Sequence, residues 1–301
     1  SNSNTNSWMD IWSDATNPGL SIVGDNEKII KFIIDSTENT GDNDDSAIID
    51  SNSGNGIYHD AGETKVEGAE VSIMASNTSL GENLGYRGIY NSSGSMMFNN
   101  DVLVSIYSNR EAILNNGKVN FSGNKVHIWR VYTTRNPSDL AGAMYNTGDM
   151  SIDSNDITIV STSYRSALKD GIAIINNGVF ELNPRNLAGN YIIRGDIHVG
   201  DTIDGSSKTL INLRSDNDKI AQFTGDIKAY NYFYADSNDF QFNLTGSNAA
   251  WFLNGEGESY VPNVSLKDNA VICINYGGLI SSGSQYNNFK NLNLNNLKND
   301  G

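Results

Sequence analysis

Hydrophobic and polar residues alternate in short runs along the chain, and one polar phrase punctuates the runs at a fixed place. The phrase reads Gly56-Ile57-Tyr58-His59-Asp60-Ala61-Gly62 and then Gly88-Ile89-Tyr90-Asn91-Ser92-Ser93-Gly94. It returns as Ala112-Ile113-Leu114-Asn115-Asn116-Gly117, Ala143-Met144-Tyr145-Asn146-Thr147-Gly148 and Ala173-Ile174-Ile175-Asn176-Asn177-Gly178. The asparagine positions (His59 in the first copy) recur roughly 24 to 32 residues apart, the spacing of a solenoid whose repeats stack coil on coil. After each glycine, apolar residues fall two and four positions on: Met96 and Phe98, Val119 and Phe121, Met150 and Ile152, Phe180 and Leu182, with Thr64 and Val66 in the first copy. Period two predicts a strand with one face inward. A polar break such as Ser122-Gly123-Asn124 or Asp153-Ser154-Asn155 follows. A second alternating run then carries Val71 and Ile73, Val126 and Ile128, or Ile157 and Ile159.

Each repeat therefore predicts strand, Asn-Gly turn, strand, polar turn, strand. Sandwiches and barrels do not require turn residues to repeat in register. A parallel β-helix does, because each strand lies on its equivalent one coil away. Leucine-rich repeats need a tighter leucine ladder, propellers need hairpin-linked blades, and a hexapeptide β-helix needs a strict six-residue period. The pattern predicts an all-β fold, a right-handed parallel β-helix of about ten to twelve coils.

Three stretches are expected along the chain. Residues 1–46 form N-terminal coils or a cap, with strands at Leu20 to Val23 and Ile29 to Ile34 and an acidic break from Thr37 to Ser46. Clear repeats fill 47–183, and degenerate coils continue through 184–301 as part of the same domain. In the degenerate stretch Gly195-Asp196-Ile197 and Gly225-Asp226-Ile227 echo each other, and Ile272-Cys273-Ile274-Asn275-Tyr276-Gly277 is expected to return to the asparagine phrase.

Composition sharpens the picture. The formal net charge is −15 and the sequence pI about 4.5, which argues against nucleic acid and anionic membrane surfaces as partners. Abundant asparagine and glycine suit the turns a coil needs at every circuit. The single cysteine, Cys273, sits in an apolar run and reads as a small core residue.

Candidate chemistry is sparse. Asp153, Asp156, Asp236 and Asp239 lie in Ser/Asn-rich turns, where aspartate caps backbone, so a glycosidase carboxylate pair is not expected. No Gly-x-Ser-x-Gly elbow is present. His59, His127 and His198 are too scattered for a triad or zinc site, and His59 occupies the asparagine position of its turn. Asp42-Asn43-Asp44-Asp45 and Asp50-Ser51-Asn52-Ser53-Gly54 space oxygens as calcium loops do, without the later glutamate of such a loop, and read as solvated turns. The expectation is no enzyme, no catalytic residue, no cofactor and no bound metal.

The coil from Asn91 to Asn115 is the shortest. Its neighbours carry extra residues between the last strand and the next phrase: Ala75 to Arg87, Tyr132 to Gly142 and Ser161 to Gly171. Insertions at one phase project from one face of a solenoid, often its binding face. They gather Tyr86, Arg87, Trp129, Arg130, Tyr132, Arg135, Tyr164 and Arg165, residue types favoured at binding hot spots. These are the candidate ligand-binding residues. Alternation limits them, because Arg130 must face away from Trp129.

The phrase Ala-Ile-x-Asn-x-Gly followed by alternating strands resembles the passenger region of large bacterial type V autotransporter adhesins. Leu244-Thr245-Gly246-Ser247-Asn248-Ala249-Ala250-Trp251 is similar to the Leu-x-x-Ser-x-x-x-Trp coils of such passengers, and the tail from Asn291 to Gly301 to their Leu-x-Leu-x-x-Leu-x-x-x-Gly stretch. The resemblance covers most of residues 47–301. It implies a monomeric stalk or adhesin segment on the bacterial cell surface, anchored in the outer membrane through a region outside this sequence. Its partner would be a host or neighbouring-cell glycan or protein, with no direct membrane contact. A β-helical carbohydrate-active enzyme or phage-type tailspike is the alternative.

Overall fold

The structure is a computed structural model. It describes residues 8–13, 20–22, 29–33, 46–51, 55–75, 87–132, 141–163, 171–183, 185, 189–200, 208–215, 219–225, 227–229, 240–246, 248–254, 264–267, 271–275, 292–293 and 297–298. These residues are all β, without a helix among them, and every strand pairing is parallel. The chain is a β-solenoid.

Beyond Asn254 the described strands belong to the large sheet alone. Each circuit from Leu20 to Asn254 contributes three strand segments. One belongs to a small sheet that runs through Leu20–Ile22, Ile57–His59, Ile89–Asn91, Ile113–Asn115, Gly142–Asn146, Ile172–Asn176, Asp196–Val199 and Ile227–Ala229. The other two belong to a large sheet with two ladders. The first ladder passes from Ile29–Ile33 through Glu63, Ser95, Lys118–Phe121, Asp149–Ile152 and Val179–Leu182 to Lys208–Arg214 and Phe240–Thr245. The second passes from Trp8–Ser13 and Ser46–Ser51 through Lys125–Tyr132, Asp156–Ser163 and Tyr191–Arg194 to Ala221–Thr224 and Ala249–Asn254. The two ladders join because Glu63–Ala75 and Ser95–Ser108 run through the second turn as single strands. The expected polar break is therefore absent in those two coils. Instead Gly68 takes a φ of 118° at a register shift, and the chain bends without leaving the sheet. The N-terminal strands pair into the same ladders: Leu20↔Ile57 in the small sheet, Ile30↔Thr64 and Ile48↔Ser72 in the large one.

Register explains the core. Met96, Val119, Met150 and Phe180 stack in one column, and Phe98, Phe121, Ile152 and Leu182 in the next. All eight are at most 2 % exposed, as period two requires. Phe98 and Phe121 stack with centroids 4.9 Å apart and planes 18° from parallel. The second ladder adds Val71, Val104, Val126 and Ile157, with Ile73, Ile106, Ile128 and Ile159 alongside. Ile57, Ile89, Ile113, Met144, Ile174, Ile197 and Ile227 close the third side. All of these are buried, so the solenoid has one continuous apolar interior.

The first turn carries a second, polar column. Asn91 Nδ2 donates to Asn115 Oδ1 (2.7 Å), Asn115 to Asn146 (2.8 Å) and Asn146 to Asn176 (2.8 Å). All four side chains are buried, so each amide must find its partners inside the protein. The ladder supplies them, because an amide both donates and accepts. Nδ2 of Asn115, Asn146 and Asn176 also reaches a carbonyl of its own turn, as Asn146 does to Gly148 O (2.9 Å), while Nδ2 of Asn91 reaches Lys118 O (3.3 Å) on the next coil. The glycine of the phrase is required by the same stacking. A Cβ on Gly148 or Gly178 would press into the backbone of the coil beneath, against Gly117 O or Gly148 O.

The ladder has two ends. At one, His59 Nδ1 lies 2.6 Å from Asn91 Oδ1, and since an amide oxygen only accepts, that ring nitrogen carries the proton. Its register partner on the preceding strand is Ile22, so the asparagine column does not continue past it. At the other end Asn176 Nδ2 donates to Thr209 Oγ1 (2.7 Å), because its sheet neighbour is Val199.

The degenerate stretch keeps the geometry and loses the ladder. Ile197 and Ile227 stack on Ile174 as their echo suggests, behind Gly195 and Gly225 at φ of 121° and 149°. The expected return of the asparagine phrase at Ile272 to Gly277 does not hold. Val271–Asn275 pairs with Ala250 to Asn254 in the second ladder of the large sheet, which sets Ile272 on Trp251. Alternating apolar residues look the same at every phase of the coil, and an Asn after them does not fix which ladder they join. Trp251 is fully buried, and its Nε1 donates to Gly225 O (2.9 Å).

Candidate functional site

Through the coils from Ile57 to Leu182, coil length varies chiefly at one corner, where the second ladder hands over to the small sheet; beyond them the other turns lengthen too, between Leu182 and Tyr191, Val199 and Lys208, and Ala229 and Phe240. Ser108 and Ala112 are joined there by Asn109-Arg110-Glu111 alone. One coil earlier the chain leaves the ladder at Ala75, the partner of Ser108, and returns at Gly88, beneath Ala112. Later coils leave at Tyr132 and Ser163, which pair with each other, and re-enter at Gly142 and Ile172, which also pair. Gly171 N donates to Ser161 O (3.0 Å) across the base of the third insertion. The next coil needs only Gly195 between Arg194 and Asp196. The stems of all three insertions thus stand one above another, as their shared phase suggests. The segments 76–86, 133–140 and 164–170, with Tyr86, Arg135, Tyr164 and Arg165, lie outside the described residues.

The described candidates divide sharply. Trp129 is 43 % exposed on the outer face of the second ladder, in a column with Met74, Tyr107 and Val160. Burial pushes the Tyr107 phenol above its ordinary pKa. Arg130 turns the other way, as alternation demands, and is 4 % exposed in the column of Ala75, Ser108 and Ser161. Its guanidinium is packed into the corner rather than offered to solvent. Tyr132 ends the strand opposite Ser163.

Arg87 belongs to a cluster. Its Nε lies 3.1 Å from Glu111 Oε2, and so does Nε of Arg110. Glu111 is buried, so two cations face a carboxylate with little water around it. Neither Arg87 Nε nor Glu111 Oε2 meets a partner at the angle of a directed hydrogen bond, so their contact is a charge pair first. Burial lowers the Arg87 pKa, Glu111 opposes that shift and Arg110 adds to it. The guanidinium also sits over the Tyr90 ring, 5.2 Å from its centroid, in cation–π geometry.

Tyr90 leads to a feature that the insertions alone do not reveal. The middle residue of the repeated phrase points outward between two buried neighbours. Register stacks Tyr58, Tyr90, Leu114, Tyr145 and Ile175 on the outer face of the small sheet. The first four are half-buried. Tyr58 and Tyr90 meet edge to face with centroids 5.3 Å apart. The signal was in the sequence: the position just before the turn asparagine (His59 in the first copy) is aromatic in three of the five copies. The corner therefore carries arginines and insertions, with one aromatic row on each flank.

No protein-family model, curated protein or solved structure matches the chain. Among the described residues no group of three or more His, Cys, Asp or Glu could hold a metal ion. His127 and His198 lie apart, each 3.9 Å from an aspartate, Asp156 and Asp196. Asp42 to Asp45 and Asn52 to Gly54 lie outside the described residues, while Asp50 and Ser51 end a strand.

Proposed function

We propose that this chain is a surface-displayed adhesin or stalk segment of an autotransporter passenger, and that it binds a host or neighbouring-cell ligand through the insertion corner. The observation that carries the reading is the shared phase of the insertions, whose stems stack on a rigid parallel solenoid. A rigid scaffold whose clear repeats gather three insertions at one corner suits recognition, since the ordered coils hold the loops in place. The contact would use Tyr86, Arg87, Trp129, Tyr132, Arg135, Tyr164 and Arg165, with Arg130 bracing the corner from within. In this reading the solenoid is right-handed, continues through about ten to twelve coils, and works as an extracellular monomer anchored to the outer membrane elsewhere. No catalytic step is assigned to it.

The test is the double substitution Tyr132→Ala with Arg135→Ala, measured in a cell-adhesion assay beside circular dichroism as a folding control. Adhesion should fall about tenfold or more, the scale of removing a hot-spot pair. Unchanged adhesion by a folded variant places the contact elsewhere.

A further inference from the structure

We propose that the outer face of the small sheet, along Tyr58, Tyr90, Leu114 and Tyr145, is a track for a carboxylate-bearing polysaccharide lying along the solenoid axis. The proposal rests on the surface-binding reading above and names its ligand class. Three features of this face select that chemistry.

The first is repetition. Register places these side chains on successive strands, about 4.8 Å apart, so a ligand that fits one rung meets a similar rung next. Such a surface suits a polymer of rings better than a single small molecule. The second is the pairing of ring faces with a polar edge. Asp60, Ser92, Asn116, Thr147 and Asn177 form a row along the turn beside the rings. Ser92 Oγ donates to Asp60 Oδ1 (2.9 Å), and Thr147 Oγ1 to Asn116 Oδ1 (2.8 Å). Two phenols are tied to the same row, Tyr58 donating to Asp60 Oδ1 (3.3 Å) and Tyr145 accepting from Asn177 Nδ2 (3.4 Å). Held rings bind without a large ordering cost. Sugars present apolar C–H faces and hydroxyl edges, which match the rings and the row. The third is charge. The chain carries −15 overall and Asp60 stands in the polar row, yet the opposite edge of this face has a local surplus of positive charge, with Arg87 and Arg110 around the single carboxylate of Glu111. Arg110 is 41 % exposed and meets Glu111 through Nε, and a guanidinium fork matches a carboxylate in geometry as well as sign.

The experiment titrates the whole chain with oligogalacturonates and hyaluronan fragments of graded length, and with the same oligogalacturonates after carboxyl reduction. The acidic oligomers should bind about tenfold or more tighter than the reduced ones, as a charge-assisted contact requires. Affinity should rise with length and fall with added salt. Arg110→Gln, on an exposed side chain, should remove most of the preference for acid. Tyr58→Ser with Tyr145→Ser should weaken acidic and neutral oligomers alike, with the thermal midpoint checked in parallel. Equal affinity for acidic and reduced oligomers overturns the proposal, as does binding that neither variant changes. Binding of a protein receptor alone overturns it too. If no oligosaccharide binds while Tyr132→Ala with Arg135→Ala still abolishes adhesion, this inference falls and the surface-binding reading stands. If both experiments are blank, both fall.

Discussion

Two corners of the same coil obey opposite rules. At the first turn, Asn91, Asn115, Asn146 and Asn176 repeat without variation, each followed two residues later by glycine (three in the coil of Asn91). At the last corner the connection ranges from Gly195 alone to the stretch between Ala75 and Gly88. The difference is one of burial. The asparagine amides are at most 1 % exposed and bond from coil to coil, so any change of side chain strands a polar group on its neighbours. The last corner asks only that each chain leave and re-enter the ladders in register. Whatever lies between adds little to the energy of closing the coil, because loop entropy grows slowly with length. One corner fixes the coil and the other is free to vary, and variation is where recognition chemistry can be placed.

The largest effect expected lies in the column that the fixed corner leads into. Phe121→Ala removes a ring stacked between Phe98 and Ile152, and should cost about 3–5 kcal/mol in chemical denaturation. A loss below about 1 kcal/mol would mean that the column is not the core and that the register is off by one residue. Next comes the ladder itself. Asn115→Ala takes the donor from Asn146 Oδ1 and the acceptor from Gly117 N, and leaves Asn91 Nδ2 only the longer bond to Lys118 O, so it should cost about 2–4 kcal/mol at roughly 1–3 kcal/mol for each deserted group. An end of the ladder should be less sensitive. Thr209→Val removes one acceptor from Asn176, whose Nδ2 keeps Gly178 O and Lys208 O, each at 2.9 Å. The loss there should be about 1 kcal/mol. Equal losses at the two sites would show that the rungs do not depend on one another.

How much of this was legible follows from the same contrast. Period-two alternation and the Asn-Gly phrase were enough to set the strands, the inward residues and the asparagine ladder, because burial imposes those patterns on the sequence directly. Phase was harder to read. Ile272 to Asn275 copies the phrase but pairs with the Trp251 strand, since several ladders of a solenoid accept the same apolar alternation. The continuous strands Glu63–Ala75 and Ser95–Ser108 were equally hidden, because a bend at Gly68 and a turn call for similar residues. Among the candidate site residues, alternation separated Trp129 from Arg130 correctly. It did not single out Tyr58, Tyr90 and Tyr145, because an outward position is not held to one residue type by burial, and Leu114 and Ile175 interrupt the row. Nor did it join Arg87 to Glu111, since a side-chain ion pair between coils leaves no periodic trace.

The smallest effects should come from the variable corner. Replacing residues 76–86 by Asn-Gly shortens the insertion to three residues, the length that joins Ser108 to Ala112 one coil later, keeps Arg87 beside Glu111, and leaves Ala75 and Gly88 in register. The entropy of a shorter closure favours the folded state by about 1 kcal/mol. Stability should therefore stay within about 1 kcal/mol of the parent while adhesion falls. Trp129→Ala sharpens the contrast further. Trp129 is as large as the buried ring of Trp251, but at 43 % exposure it covers only the outer face of its ladder. Its loss should change stability by about 0.5 kcal/mol or less, as surface substitutions usually do. A loss comparable to that of Phe121 would mean that Trp129 is covered by the inserted segments and belongs to the scaffold. In that event the variable corner would hold the coil together much as the asparagine corner does, and its aromatic residues would have a structural reason to be there.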